Sequence, residues 1–146
     1  MNTLEEFKAE WKKDTVINQL DLSRESLKSA SIHSKYIDLL VDSKRRVSRK
    51  GHDLARMHQF KKKYWAGHLT KEELIEYGLP QYQLTAPLKS QTDSMLEADE
   101  DCIKIKEEVE ELELIVFFLE NVMKSIYSRS FDIKNSIDFS RFQAGN

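Results

Sequence analysis

The stretch His58–Gly67 reads HQFKKKYWAG: three consecutive lysines, Lys61, Lys62 and Lys63, set among Phe60, Tyr64 and Trp65. Upstream lie Arg45, Arg49 and Arg56. Cations beside flat aromatic faces can hold a ligand that is both anionic and planar. On an ideal helix Arg45, Arg49, Arg56 and Lys63 fall within a sector about 40° wide, while Val47, Leu54 and Trp65 fall on the opposite side. The remaining bases, Lys44, Arg46, Lys50, Lys61 and Lys62, spread along the flanks.

A charge run on a helix is ordinarily a solvated face. Such faces intersperse signs, because like charges at i,i+4 cost a few tenths of a kcal/mol per pair. Between Lys44 and Lys63 there are nine bases against one acid, Asp53, so an anionic partner is the simplest compensation. Single-stranded nucleic acid fits, since bases stack on aromatic rings while Lys and Arg follow the backbone. A membrane surface fits less well, because the segment lacks the broad apolar face of an interfacial helix. Major-groove readers carry a zipper, helix-turn-helix or finger context that is absent here. The candidate single-strand-binding residues are Arg45, Arg49, Arg56, Lys61, Lys62, Lys63, Tyr64 and Phe60. Trp65 sits on the apolar seam, where core and stacking roles are both open.

Other chemistry has little support. GxxxxGK[ST], GxGxxG, HExxH and GxSxG are all missing, so nucleotide hydrolysis and the commoner hydrolases lack a signature. His33, His52, His58 and His68 lack ligand spacing and Cys102 is remote from them, so neither a metal nor another cofactor is expected. Asp99, Glu100 and Asp101 fit the start of a helix, where acids complement the macrodipole.

The elements that position these residues are helical. Only four glycines and two prolines punctuate 146 residues, and both prolines, Pro80 and Pro87, share one window, so long helices are favoured over a turn-rich β fold. Thr3 and Glu6 form a capping box for a short helix over residues 4–13, and Asp21 can cap a long helix over 22–66 with a possible kink at Gly51 and a stop at Gly67. Thr70 and Glu73 cap a short helix ended by Gly78. Residues 79–92 lack periodicity. Ser94 and Glu97 predict the start of a last long helix over about 95–128, with the tail forming a further short helix.

In that last helix Cys102, Ile105, Val109, Leu112, Val116, Leu119, Met123 and Ile126 alternate at spacings of three and four, a heptad stripe. Leu114, Ile115, Phe117 and Phe118 make the helix apolar on every face, which requires burial on every face. A multi-chain bundle is therefore expected, with Val109, Leu112, Val116, Phe117, Phe118, Leu119, Met123 and Ile126 as the oligomerisation residues. The acids concentrate here too: nine against Lys104 and Lys106 between Glu97 and Glu113. The net charge of −2 hides this polarity. One cysteine excludes an internal disulfide, the N-terminus has no secretory pattern, and no window is long and apolar enough to span a bilayer, which reads as a soluble protein of a reducing compartment.

The residues also carry a resemblance. LEEFKAEWKKD, HSKYIDLLVDSKRR, YWAG, LEADEDCIKIK and above all the terminal SRSFDIKNSIDFSRFQAG resemble the UvsY family, recombination mediators of T-even-type bacteriophages. The resemblance implies a non-enzymatic protein that binds single-stranded DNA and forms a ring-like homo-oligomer of roughly six or seven subunits. It also implies loading of the phage recombinase onto DNA coated by single-strand-binding protein, contact with both, and action in the cytoplasm of the infected bacterial host. The family's DNA-binding basic residues align with Gln59 and Lys61; Gln59 is uncharged, which shifts that contact to Lys62, Lys63 or Arg56. The expected organisation is a basic DNA-binding region over residues 1–78, a linker over 79–93 and an oligomerisation region over 94–146. The competing reading is a helical scaffold or adaptor whose basic face binds an acidic protein.

Overall fold

The computed structural model describes residues 2–145. It contains α1 (Leu4–Asp14), α2 (Leu22–Trp65), α3 (Lys71–Glu76), α4 (Lys89–Ala98) and α5 (Glu100–Gln143), with no strand among the described residues. The fold is all-α, as expected from the scarcity of glycine and proline. Two compact units are present, one comprising the chain up to residue 46 and from 111 onward, the other residues 47–110. Helices α2 and α5 each contribute to both.

In the first unit α1 starts on the expected capping box. The Glu6 N–H donates to Thr3 Oγ1 at 3.3 Å and the Thr3 N–H to Glu6 Oε2 at 2.7 Å. Asp21 Oδ1 accepts the Arg24 N–H at 3.3 Å and so caps α2. Phe7, Tyr36 and Leu40 are buried here, and α5 buries Leu112, Ile115, Leu119, Val122, Ile126, Arg129 and Ile133. That line keeps the three-four spacing, but it passes through Ile115 and Val122, whereas Val116 and Met123 are half-buried. Helix α5 also runs on to Gln143, which corrects the expected end near 128 and the separate tail helix. Neither glycine nor proline occurs between residues 129 and 143, and Ile133 continues the buried line.

Arg129 occupies an apolar position of that line. Its Nη2 lies 2.6 Å from Glu25 Oε2, each side chain only 4% exposed, and its Nη1 donates to the Thr15 carbonyl at 3.3 Å. Its Nε has no partner among the described residues. Hydrogen bonds from Lys28 and Arg129 outweigh burial and hold the Glu25 carboxyl below the usual carboxylate range.

In the second unit Trp65, Leu96 and Cys102 form a buried cluster, with Leu54, Met57, Tyr64, Tyr82 and Met95 packed around it. Trp65 is therefore core. Gly51 lies inside uninterrupted helix, so the possible kink is not realised. Gly67 terminates α2 with φ 74°. There the His68 N–H donates to the Lys63 carbonyl and the Gly67 N–H to the Tyr64 carbonyl, each at 3.0 Å. This is the Schellman arrangement, which glycine enters without a Cβ penalty. The expected cap at Ser94 is corrected: α4 begins at Lys89, and Ser94 lies mid-helix with its Oγ donating to the Ser90 carbonyl at 3.5 Å. The break falls instead at Asp99, extended at ψ 124°, whose Oδ2 accepts the Cys102 N–H at 3.0 Å and caps α5.

Candidate nucleic-acid interface

The three lysines of the opening stretch leave the helix at successive steps of about 100°, and the structure gives them three different surroundings. Lys61 Nζ lies 2.7 Å from Asp101 Oδ2 and 3.2 Å from Asp99 Oδ1, with its side chain 17% exposed. Burial acts to lower its pKa, yet the hydrogen bonds to Asp101 and Asp99 prevail and hold it above the ordinary lysine value. Lys62 is exposed at a cavity of about 480 Å³ that His58, Lys106, Asp93 and Glu97 also line. Opposed charges there make a poor anion cradle. Lys63 is half-exposed, 3.5 Å from Glu73 Oε2, and is the one of the three that shares the arginine face.

That face is the open part of the basic helix. Arg49 and Arg56 are exposed in the second unit, and Arg45 is exposed on the same helix in the first. Arg45 and Arg49 have no ion-pair partner among the described residues, and Arg56 pairs only with its own helix at Asp53, 3.0 Å away. The flanking bases differ. Lys44 pairs with Glu120 at 3.2 Å within the first unit, Arg46 with Asp42 at 2.9 Å, and Lys50 with Glu108 within the second. Three of the nine bases, Lys44, Lys50 and Lys61, are thus matched by acids of the C-terminal third, and Arg45 and Arg49 are left without a carboxylate among the described residues.

The aromatic residues divide in the same way. Tyr64 packs on the Trp65 cluster, donates its hydroxyl to the Pro80 carbonyl at 2.8 Å and meets Tyr82 edge-on at 5.5 Å. Phe60 is half-buried on the stripe's face, and Tyr77 covers it edge-on at 4.7 Å. Tyr77 did not emerge from the sequence. Its position beside Phe60 depends on the turn at His68 and on α3, whose capping box links Thr70 and Glu73 and whose Leu74 is buried.

Cys102 is buried, and burial together with Asp99 pushes its thiol up to about 11, which suppresses thiolate chemistry. Among the described residues no cluster of His, Cys, Asp or Glu could hold a metal ion, and no described helix is long and apolar enough to cross a membrane.

The oligomerisation residues expected on α5 also separate. Leu112, Leu119 and Ile126 are buried within their own chain, while Phe117 is 66% exposed. Val109, Val116, Phe118 and Met123 are half-buried.

An all-α chain with exposed arginines beside aromatic rings on a basic helix has features found in nucleic-acid-binding proteins. The family described as recombination, repair and ssDNA binding protein UvsY matches residues 10–146, and the chain belongs to that family. Recombination protein uvsY of Enterobacteria phage T4 is 25% identical over 97% of this chain and 98% of its own length. Two crystal structures of the bacteriophage T4 recombination mediator protein UvsY share the fold. One has a TM-score of 0.82 at 23% identity, covering 99% of both chains. The other has a TM-score of 0.83 at 22% identity, covering 97% of this chain and 99% of that one.

Proposed function

We propose that this protein is a recombination mediator that captures single-stranded DNA on the outward stripe of α2 and acts as a ring-like homo-oligomer. It promotes loading of the phage recombinase onto DNA coated by single-strand-binding protein, and it works in the cytoplasm of the infected host. The carrying observation is that Arg49 and Arg56 are exposed on α2 in the second unit, Arg49 with no ion-pair partner among the described residues and Arg56 paired only with Asp53 of its own helix, while Lys50 and Lys61 of that unit are matched by carboxylates from other helices. Membership of a single-strand-binding recombination family supports the choice of anion. Basic capture over residues 1–78 and self-association over 94–146 divide the labour, with the segment between as the connection. Repeating the stripe around a ring multiplies weak contacts into avidity.

Binding to labelled oligothymidylate across a salt series tests this reading. A strand contacting about five phosphates loses affinity with a log-log slope of several units. Absence of binding at low salt overturns the proposal and favours the adaptor reading, in which the basic face takes an acidic protein.

A further inference from the structure

Resting on that reading, we infer that Tyr77 is a nucleobase-stacking residue: one unpaired base lies against its ring while Arg56 and Lys63 hold the adjoining phosphates. Three observations meet here. Arg56, Phe60 and Lys63 stand at i, i+4 and i+7 and therefore share one face of α2, with the two cations about 10 Å apart along the axis. Phe60, between them, is covered edge-on by Tyr77, so the ring presented to solvent is contributed by α3. Tyr77 is 55% exposed, whereas Tyr64 and Trp65 are engaged by the unit's own core.

The site is also held in place. Tyr77 is the C-cap of α3, and its N–H donates to the Glu73 carbonyl at 3.0 Å. Gly78 follows at φ 66°, and the Leu79 N–H closes the turn on the Leu74 carbonyl at 2.9 Å. Lys63 reaches Glu73 on the same helix. A ring fixed by its backbone and braced by Phe60 loses little freedom when a base settles on it. Tyr77 meets Phe60 at the position on α2 that Arg56 and Lys63 flank, an arrangement that a lid for Phe60 alone does not require.

The test compares oligothymidylate with an abasic strand of the same length. Tyr77→Ala is expected to weaken oligothymidylate binding about tenfold, to leave the salt slope unchanged, and to leave abasic binding as in the parent; Tyr77→Phe binds both like the parent. An Ala variant equal to the parent on oligothymidylate, or losing equally on the abasic strand, overturns the stacking role. Should the Ala variant misfold, Tyr77→Trp gives a second readout: its added fluorescence is quenched by oligothymidylate and not by the abasic strand, and no quenching overturns the inference. A parent that binds neither strand removes the underlying function as well, whereas a binding parent with an unaffected Ala variant removes the stacking site alone.

Discussion

Lys61 is held by Asp101 at 2.7 Å and by Asp99 at 3.2 Å, so this lysine is occupied by carboxylates from the α4–α5 junction. A phosphate reaching Lys61 must displace them. Asp101→Asn removes one competing charge while Asp99 keeps its capping bond. The variant is expected to bind oligothymidylate roughly two- to fivefold more tightly at low salt, with the gain fading as salt rises. Fluorescence anisotropy measures this directly, and equal or weaker binding contradicts the competition.

The stripe and the occupied lysine predict opposite phenotypes. Arg49→Ala and Arg56→Ala each lower affinity across all base compositions and reduce the salt slope by about one unit, with the thermal midpoint unchanged. Lys61→Ala instead leaves Asp99 and Asp101 without their cation. It is expected to lower the thermal midpoint while leaving the slope close to that of the parent. A Lys61→Ala protein with native stability and a shallower slope reverses the assignment.

The buried pair Arg129–Glu25 predicts a mutant cycle. Losing one partner strands the other charge away from water, so Arg129→Met alone lowers the thermal midpoint by several degrees. Replacing both residues by apolar ones of similar volume is far better tolerated. Thermal denaturation of the two single variants and the double variant checks this, and additive losses contradict it.

Acid sensitivity follows from the same pairs. Asp14, Glu25, Glu73, Asp99 and Glu108 are all held below their ordinary values of 3.8 for Asp and 4.5 for Glu. For Asp14 and Asp99 burial works the other way and is outweighed by hydrogen bonds. Each group therefore binds a proton less readily in the fold than in the unfolded chain. The stability they contribute is complete above about pH 4.5 and is lost as pH falls through the lowered folded values. Thermal midpoints followed from neutral pH downward should stay level until about that point and then decline; a decline beginning near pH 6 contradicts this account.

Helix identities were legible in the sequence wherever a local rule set them. Thr3 with Glu6, Thr70 with Glu73, and Gly67 and Gly78 each act within one turn, and all four appear as read. The α4 start escaped because Leu88 has no capping side chain and only Gln91 Oε1 returns to its N–H, at 3.0 Å. The length of α5 escaped because a charged residue, Arg129, stands where the periodic line requires an apolar one, and only Glu25, 104 positions away, with the Thr15 carbonyl, makes that acceptable. The arginine stripe follows from helical spacing alone. The occupation of Lys61 and the place of Tyr77 depend on contacts 40 and 17 residues apart, which no local pattern carries.

The apolar surface of α5 sharpens the choice of variant for testing self-association. Placed at 100° per residue, Leu114, Phe117, Phe131, Phe139 and Phe142 fall within about 100° of one another, opposite the buried line. Each is more than half exposed. Large apolar side chains left exposed on one side of a helix are candidates for an interaction surface. Leu119 is 0% exposed, so Leu119→Asp would unfold the chain and lower its mass for an uninformative reason. Phe117→Asp, on a side chain 66% exposed, leaves the chain's own core intact. It is expected to retain full helicity by circular dichroism while sedimenting at lower mass. A Phe117→Asp protein that keeps both its helicity and its assembled mass places the subunit interface elsewhere on the chain.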